Sequence, residues 1–119
     1  MTSDTEKLKP SDVLDHAATL IDYWGLHRGS YLNPATGAMC HLGAIYTAAG
    51  YHIHRHSKKD GWVRTTRGVN GFVAEAAADW DRKAIGGSVV IWNDDKCGSK
   101  KEAVAKLREA AAMAREAGE

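Results

Sequence analysis

The chain has 119 residues, of which 44% are hydrophobic and 26% charged, and its formal net charge is +1. This length is typical of one domain with one core, and the composition argues against global disorder. The small net charge excludes a general attraction to nucleic acid or anionic membrane, so any such binding must be local. Because no long apolar run or signal peptide is apparent, we expect a cytoplasmic protein without membrane contact, in which Cys40 and Cys97 are reduced thiols.

The first predicted helix follows a charged segment. Residues 1–9 have no apolar period, which predicts a flexible leader before a single helical domain over 10–119. Ser11 is the predicted cap of this helix. Apolar residues then recur at every third or fourth position and predict a helix over about 12–24. The Gly and Pro residues that follow predict a loop.

The stretch 37–50 is nearly uncharged and rich in Gly and Ala, which predicts a helix surrounded by other elements. Thr36 is its predicted cap, and Gly50 is its predicted end because glycine readily adopts the conformation that follows many helices. Gly43 and Ala44 would let neighbouring helices approach closely. We therefore expect this helix to occupy the centre of the domain.

Residues 51–68 interrupt the helical pattern and carry five Lys or Arg and one Asp, a local charge of +4. Asp60-Gly61 is a favoured hairpin turn, and strand-forming residues flank it. Because neither face is apolar enough to be buried, we predict a projecting, β-hairpin-like basic arm or a mobile loop. The Lys and Arg side chains of this arm, with Trp62 between them, resemble a surface that contacts phosphates and stacks on a base. The alternative is a loop whose charges are simply solvated. Six residues form the predicted partner or nucleic-acid surface: Arg55, Lys58, Lys59, Trp62, Arg64 and Arg67.

Two further helices are predicted after the arm. The third begins near residue 70, ends at Gly86-Gly87 and has Phe72 on its apolar side. The run 89–92 fits either a buried extended segment or one helical turn. Ser99 and Glu102 form a capping box, which opens a last helix that continues to about residue 117.

These elements predict a mainly α fold, namely a small four-helix domain around a Gly/Ala-rich central helix with the basic arm over 51–68. The alternative is an α+β fold with a small sheet, in which 89–92 pairs with a strand of the arm.

Alternating histidines in the arm resemble a metal cluster. His52, His54 and His56 would share one face of a strand, about 6.5–7 Å apart. Zinc binding would need a further ligand to complete the tetrahedron. Three residues are candidates for it: Cys40, His41 and Cys97. No established zinc spacing supports the site, so a solvated polar strand is the favoured interpretation, and we expect no metal or cofactor.

Cys40 and His41 are adjacent, which is the wrong arrangement for a nucleophile and its base because successive helix positions point about 100° apart. A helix N-terminus can activate a thiol, but a small buried apolar cysteine is the favoured interpretation of Cys40. We therefore expect no catalytic residue here.

Trp92-Asn93-Asp94 is the other compact polar group. Asp94 or Asp95 would be the candidate acid or base. However, Asx residues in a turn before a helix usually bond the local backbone, and a tryptophan usually fills a core. The structural interpretation is therefore favoured for this group as well.

Several of these pieces together resemble a family of short, uncharacterised proteins of actinobacteria and their bacteriophages. The matching positions cover about half of the chain. They are Trp24 and Gly29, then Gly37, Cys40, Gly43, Ala44 and Ala48, and later Trp92, Asn93, Asp94 and Val104. The basic arm lies outside the pattern. The resemblance implies an intracellular, mostly helical domain of unknown activity, and it supplies no catalytic residue. We interpret the matching positions as structural, with close packing at Gly43 and Ala44 and a turn at Asn93-Asp94.

The favoured function is a non-enzymatic interaction protein, a phage-type accessory protein that binds a host macromolecule or self-associates as a homodimer. The basic arm and exposed aromatic residues would form its contact surface. One alternative is a nucleic-acid-binding module that uses the basic arm. Another is a metal- or thiol-dependent enzyme centred on Cys40, His41 and the histidines of 52–56.

Overall fold

The computed structural model describes residues 8–57, 61–66 and 71–119, with side chains described over 8–51 and 71–119. The elements follow in chain order: α1 (Pro10–Trp24), α2 (His41–Ala48), β1 (Tyr51–Ser57), β2 (Gly61–Thr66), α3 (Gly71–Ile85), α4 (Val89–Ile91), a π-helical turn (Trp92–Lys96) and α5 (Lys100–Glu116). The predicted mainly helical class is confirmed. No helix within the described ranges has both the length and the apolar character to cross a bilayer.

The core lies chiefly between α1 and α5, which pack together more extensively than any other pair of described elements. Fully buried alanines allow the two helix axes to approach closely. They are Ala17 and Ala18 on α1, and Ala103, Ala110, Ala111 and Ala114 on α5. α1 also packs against α2 and α3, whereas α2 packs against α1, β1, α3 and α4.

α2 begins later than predicted because the chain before it is held extended. Gly37 has a φ of 84°, in the left-handed region, and Met39 forms bridges to two residues of the preceding loop. Cys40 is the observed N-cap. The predicted cap by Thr36 was wrong, since its Oγ1 instead accepts a hydrogen bond from the N–H of Ala38 at 3.2 Å.

The strands β1 and β2 form an antiparallel pair in which Tyr51 lies opposite Thr66 and Ile53 lies opposite Arg64. The predicted turn at 60–61 begins on a residue outside the described ranges. α4 is helical and joins no strand in the described part of the chain. The α+β alternative, in which 89–92 pairs with the arm, was therefore wrong.

Several apolar residues that were predicted to face the core, or that lie in the run 89–92, are exposed. The buried stripe of α3 runs through Ala74, Ala77 and Asp81, and Phe72 lies off this stripe with 93% of its surface exposed. In the run 89–92, one helical turn directs Val89 inward and leaves Val90 exposed.

The first turn of α1 is hydrogen-bonded to the backbone of Glu119. Leu8 packs against the core, and Lys9 is the N-cap of α1. The predicted cap by Ser11 was wrong. Ser11 lies in the first turn, where its backbone N–H and its Oγ each donate to the Glu119 carbonyl oxygen at 3.2 Å. Of the predicted leader, residues 1–7 lie outside the described ranges.

A carboxylate on α1 links this helix to α5. Asp15 accepts hydrogen bonds from Arg108 at 3.0 Å and from Arg115 at 2.8 Å. Partial burial raises the pKa of Asp15, but the hydrogen bonds from Arg115 and Arg108 outweigh it and hold the pKa below its ordinary value of 3.8. A depressed carboxyl pKa stabilises the folded state above the ordinary value, and this stabilisation is lost as the pH falls through the folded value.

We therefore expect Asp15→Asn to lower the free energy of unfolding at neutral pH by less than about 1 kcal/mol, because the three side chains are partly exposed to solvent, which screens their charges. The difference from the unmodified protein should shrink as the pH falls below 3.8. Urea unfolding at neutral and acidic pH measures both values. Asp22→Asn is the control, since Asp22 is more exposed and its Oδ1 lies 3.9 Å from Lys100 Nζ. If Asp15→Asn lowered the free energy of unfolding by the same amount at acidic pH as at neutral pH, the prediction would be contradicted.

Candidate functional site

Three distant parts of the chain meet at the N-terminus of α2. The Cys40 Sγ accepts a hydrogen bond from the N–H of Gly43 at 3.3 Å. The Oδ1 of Asn93, which is 52 positions away in sequence, accepts a hydrogen bond from the N–H of His41 at 2.9 Å. A helix leaves its first N–H groups without partners inside the helix. Two of them are satisfied here by side chains, so the π-helical turn holds α2 in place.

The side chain of Asn93 is buried, and all of its polar atoms form hydrogen bonds. Its Nδ2 donates at 3.0 Å to both the carbonyl oxygen of His27 and the Oδ1 of Asp94. Asn93 was expected to bond the local backbone of a turn, but two of its partners, the N–H of His41 and the carbonyl oxygen of His27, are distant in sequence. Asn93 therefore acts as a cross-link between that loop, α2 and the π-helical turn.

A fully buried pair of His41 and Asp81 lies next to Asn93, since Asn93 accepts from the N–H of the same His41. His41 Nδ1 is 2.7 Å from Asp81 Oδ2, and neither side chain has any exposed surface. His41 Nε2 lies 3.1 Å from the carbonyl oxygen of Ala103. A carbonyl only accepts, so Nε2 carries a hydrogen and the second proton lies between Nδ1 and Asp81. Because both ring nitrogens are engaged, His41 is not available as a general base in this geometry.

A pocket of about 270 Å³ opens beside the N-terminus of α2. Its lining combines residues of the α1–α2 loop with residues of α2, its N-cap, α4 and the π-helical turn. The lining residues are Gly29, Ser30, Tyr31, Cys40, Leu42, Val89, Val90, Asn93 and Asp94. Four of them, Gly29, Cys40, Asn93 and Asp94, are positions on which the sequence resemblance rests. The resemblance therefore maps in part onto one wall of a pocket.

The charged group in the lining of this pocket is the half-buried carboxylate of Asp94. Its Oδ1 accepts hydrogen bonds from the N–H of Gly29 and from Asn93 Nδ2, both at 3.0 Å. These two bonds fix the position of the carboxylate. Asp94 thus presents a negative charge toward a concavity whose other walls are largely aliphatic or aromatic.

The thiol of Cys40 also lines the pocket, but its chemistry is unsuited to nucleophilic attack. Burial raises the pKa of Cys40 to about 11, and the nearby Asp94 carboxylate adds to the increase. The reactive form of cysteine is the thiolate. A protonated thiol beside a histidine that is already engaged does not form a nucleophile and base pair.

A family model matches residues 5–113, which is nearly the whole chain, and its description is "family of unknown function (DUF6197)". The chain belongs to the DUF6197 family. The matched span includes α1, α2, the π-helical turn and most of α5, so it contains every residue of the site described above. No curated protein and no solved structure matches the chain.

Several predicted site residues of this DUF6197 chain lie outside the described side chains. They are Arg55, Lys58, Lys59, Trp62, Arg64 and Arg67, together with His52, His54 and His56. Among the side chains that are described, no three His, Cys, Asp or Glu residues come close enough to hold a metal ion.

The buried pair of His41 and Asp81 was not predicted from the sequence. A usable signal was present, because Asp81 lies four positions after Ala77 on the apolar stripe of α3. A carboxylate on such a stripe is buried and needs a partner.

Both cysteines of this DUF6197 chain are buried, and they form no disulfide with each other. Burial raises the pKa of Cys97 as well as that of Cys40. At pH 8 a thiol with a pKa of about 11 is ionised in roughly one molecule in a thousand. We therefore expect slow alkylation of the folded protein by iodoacetamide and fast alkylation in urea. Cys40→Ala and Cys97→Ala assign the labelled residue by mass. Rapid, complete labelling of Cys40 in the folded protein would show that its thiol is activated.

Proposed function

We propose that this protein is a non-enzymatic interaction protein that binds a partner protein through α4 and the pockets beside it. The observation that carries the proposal is the exposure of two adjacent aliphatic side chains. Val90 is 52% exposed and Ile91 is 53% exposed, next to each other on a helix of one turn. Exposed apolar groups that border concave surfaces are typical of interaction sites.

The turn α4 separates two concavities. Val90 lines the pocket of about 270 Å³. Ile91 lines a second pocket of about 230 Å³, together with Trp92 and Lys96. A partner that covers α4 would bury both aliphatic side chains and place its own side chains in one or both concavities. This arrangement supports association with a protein surface.

The polar groups near the pocket favour binding over catalysis. Cys40 is held in its protonated form by burial, and both ring nitrogens of His41 have acceptors within hydrogen-bond distance. Asn93 uses its amide to fasten backbone segments together. Cys40, Asn93 and Asp94 line the pocket, and Asp94 carries the carboxylate among them.

The sequence resemblance to proteins of actinobacteria and their phages supports an accessory role in the bacterial cytoplasm. The proposed partner is a protein of the host cell. The alternative partner is a second copy of the chain, and the experiment below distinguishes the two.

The test compares two glutamate variants. Val90→Glu combined with Ile91→Glu places charge on α4, and Phe72→Glu places charge on a residue that is 93% exposed and lines neither pocket. Size-exclusion chromatography with light scattering measures self-association, and crosslinking in host lysate with mass spectrometry measures partner binding. We expect the α4 variant to lose the complex and the Phe72 variant to keep it. A complex that survives the α4 substitutions, or a monomer without any specific partner, would overturn the proposal.

A second candidate function is nucleic-acid binding by the basic arm. It is favoured by the local charge of +4 over residues 51–68 and by the antiparallel pairing of β1 with β2. Titration of labelled DNA at two salt concentrations tests it. Phosphate contacts would make the affinity fall steeply with salt. Glutamate substitutions at Arg55, Lys58 and Lys59 should then abolish binding, and unchanged binding would refute this candidate.

A further inference from the structure

Among the residues that the structure describes, the Asp94 carboxylate in the pocket lining has no cationic partner. Its Oδ1 is occupied by Gly29 and Asn93, whereas its Oδ2 accepts no hydrogen bond from any side chain or backbone group in the described part. The ion pairs found among described residues do not include Asp94. The guanidinium of Arg28, which precedes Gly29 in sequence, donates to the carbonyl oxygen of Cys97 at 2.6 Å. A half-buried carboxylate with a free oxygen favours a cation.

The walls of the same pocket suit a hydrocarbon chain. Leu42, Val89 and Val90 provide aliphatic surface, and Tyr31 provides an aromatic ring. The volume of about 270 Å³ lies just below the range of roughly 300–1,000 Å³ that is usual for pockets binding drug-sized ligands and cofactors. A single side chain with an apolar stem and a charged end matches this combination of size, walls and charge.

A metal ion matches the pocket less well. Calcium takes about six to eight oxygen ligands, and zinc takes four nitrogen, sulfur or oxygen ligands. Among the described residues, Asp94 is not part of any group of three possible metal-binding side chains. An anion is disfavoured by the carboxylate itself. An organic cation is therefore the class of ligand that the pocket favours.

We propose that the pocket binds a lysine or arginine side chain of the partner protein, with the ammonium or guanidinium group on the Oδ2 of Asp94 and the alkyl stem along Val89 and Val90. This inference rests on the proposed function, because it identifies the chemistry of the partner at the same surface. Val90 and Ile91 are exposed next to the cation site and offer apolar contact area that a free small amine would not cover. A cation that is part of a protein could cover it, which favours a protein as its source.

The experiment is an NMR titration of the full chain with capped amino acids. N-acetyl-arginine amide and N-acetyl-lysine amide are compared with their uncharged counterparts, the citrulline and norleucine amides. We expect the charged compounds to shift the backbone signals of Gly29, Ser30, Val90 and Asp94. The neutral compounds should bind at least about tenfold more weakly, because they lack the charge-assisted hydrogen bond. Equal binding by a neutral compound, or no shift at these residues, would overturn the inference.

Two variants of neighbouring carboxylates sharpen the test. Asp94→Asn keeps an oxygen for Gly29 and Asn93 but removes the charge in the pocket, so the arginine compound should bind at least about tenfold more weakly. Asp95→Asn removes the same charge from an exposed neighbour that does not line the pocket, and it should change the affinity less than about threefold. Equal losses in the two variants would mean a general charge effect and would overturn the assignment to Asp94.

A third measurement distinguishes a protein partner from a free small amine. A short peptide with one arginine between apolar residues should bind more tightly than the capped arginine, and Val90→Glu with Ile91→Glu should remove this advantage. No advantage of the peptide would overturn the assignment to a protein side chain. Failure of the proposed function is a separate result, since cation binding in the pocket is measured without any partner.

Discussion

Replacing Gly43 with alanine should destabilise the protein by about 3 kcal/mol or more, although alanine is normally better than glycine inside a helix by about 1 kcal/mol. A Cβ at this position would overlap the backbone carbonyl of Tyr31, with its carbon only 2.9 Å away. Backbone cannot rotate aside as a flexible side chain does. The Tyr31 carbonyl oxygen also accepts the N–H of Cys40 at 3.2 Å, so relief of the overlap would separate the loop from α2.

Thermal unfolding measures this effect, and the melting temperature should fall by roughly 12 °C or more. Gly87→Ala is the control, because a Cβ there meets no atom within 4 Å, and it should change stability by less than about 0.5 kcal/mol. Since Tyr31 lines the pocket, Gly43→Ala should also weaken binding of the arginine compound. A Gly43→Ala protein as stable as the Gly87→Ala protein would mean that α2 and the loop are not in close contact.

Replacing Asp81 with alanine should lower the free energy of unfolding by about 3–5 kcal/mol. The substitution leaves His41 Nδ1 buried without its partner at 2.7 Å, and an unpaired buried polar group retains its full desolvation cost. Asp81→Asn should cost less, about 1–3 kcal/mol, because the amide can still form a hydrogen bond with the imidazole.

Urea unfolding of both variants is compared with Asp79→Ala on the same helix. The Asp79 side chain is 60% exposed and pairs with Arg82 at 3.1 Å, so its loss should cost less than about 1 kcal/mol. If Asp81→Ala cost no more than Asp79→Ala, the buried pair would contribute nothing to stability. Equal losses for the Asn and Ala variants at Asp81 would show that the volume of the side chain matters and that its hydrogen bond does not.

The helices that the sequence predicts well are those with a long, regular apolar period. α1 and α5 each bury a continuous stripe against the other, so local pattern and tertiary packing agree. The predicted cap of α5 is confirmed, since Ser99 Oγ accepts the N–H of Glu102 at 3.1 Å. Periodicity and capping chemistry are properties of neighbouring residues, which explains why they were accessible from the sequence.

The start of α2 was less predictable because its cap is unusual. Cys40 satisfies a helix N–H with sulfur, whereas Ser, Thr, Asp and Asn are the residues expected there. The close packing predicted at Gly43 is present, but its neighbour is the backbone of Tyr31 in a loop and not another helix. The single turn α4 is too short for its periodicity to show which side chains face solvent.

The candidate site was hardest to predict, since its contacts join residues that are far apart in sequence. Asn93 reaches His41 across 52 positions, and Asp94 reaches Gly29 across 65. Such pairs leave no local pattern. The residues that carry the resemblance included Gly29, Cys40, Asn93 and Asp94, which were interpreted as structural. Their common place in the lining of one pocket became visible only from their positions in space.

The packing of α1 on α5 has a consequence for synthesis of the protein. Asp15 and Arg108 meet across 93 positions of the chain, so α1 leaves the ribosome long before α5, its main packing partner. Until α5 emerges, the apolar stripe of α1 faces water or a chaperone. The core between α1 and α5 therefore forms only after most of the described helices have been synthesised, and a chain that stops before α5 lacks the buried residues Ala103, Leu107, Ala110, Ala111 and Ala114.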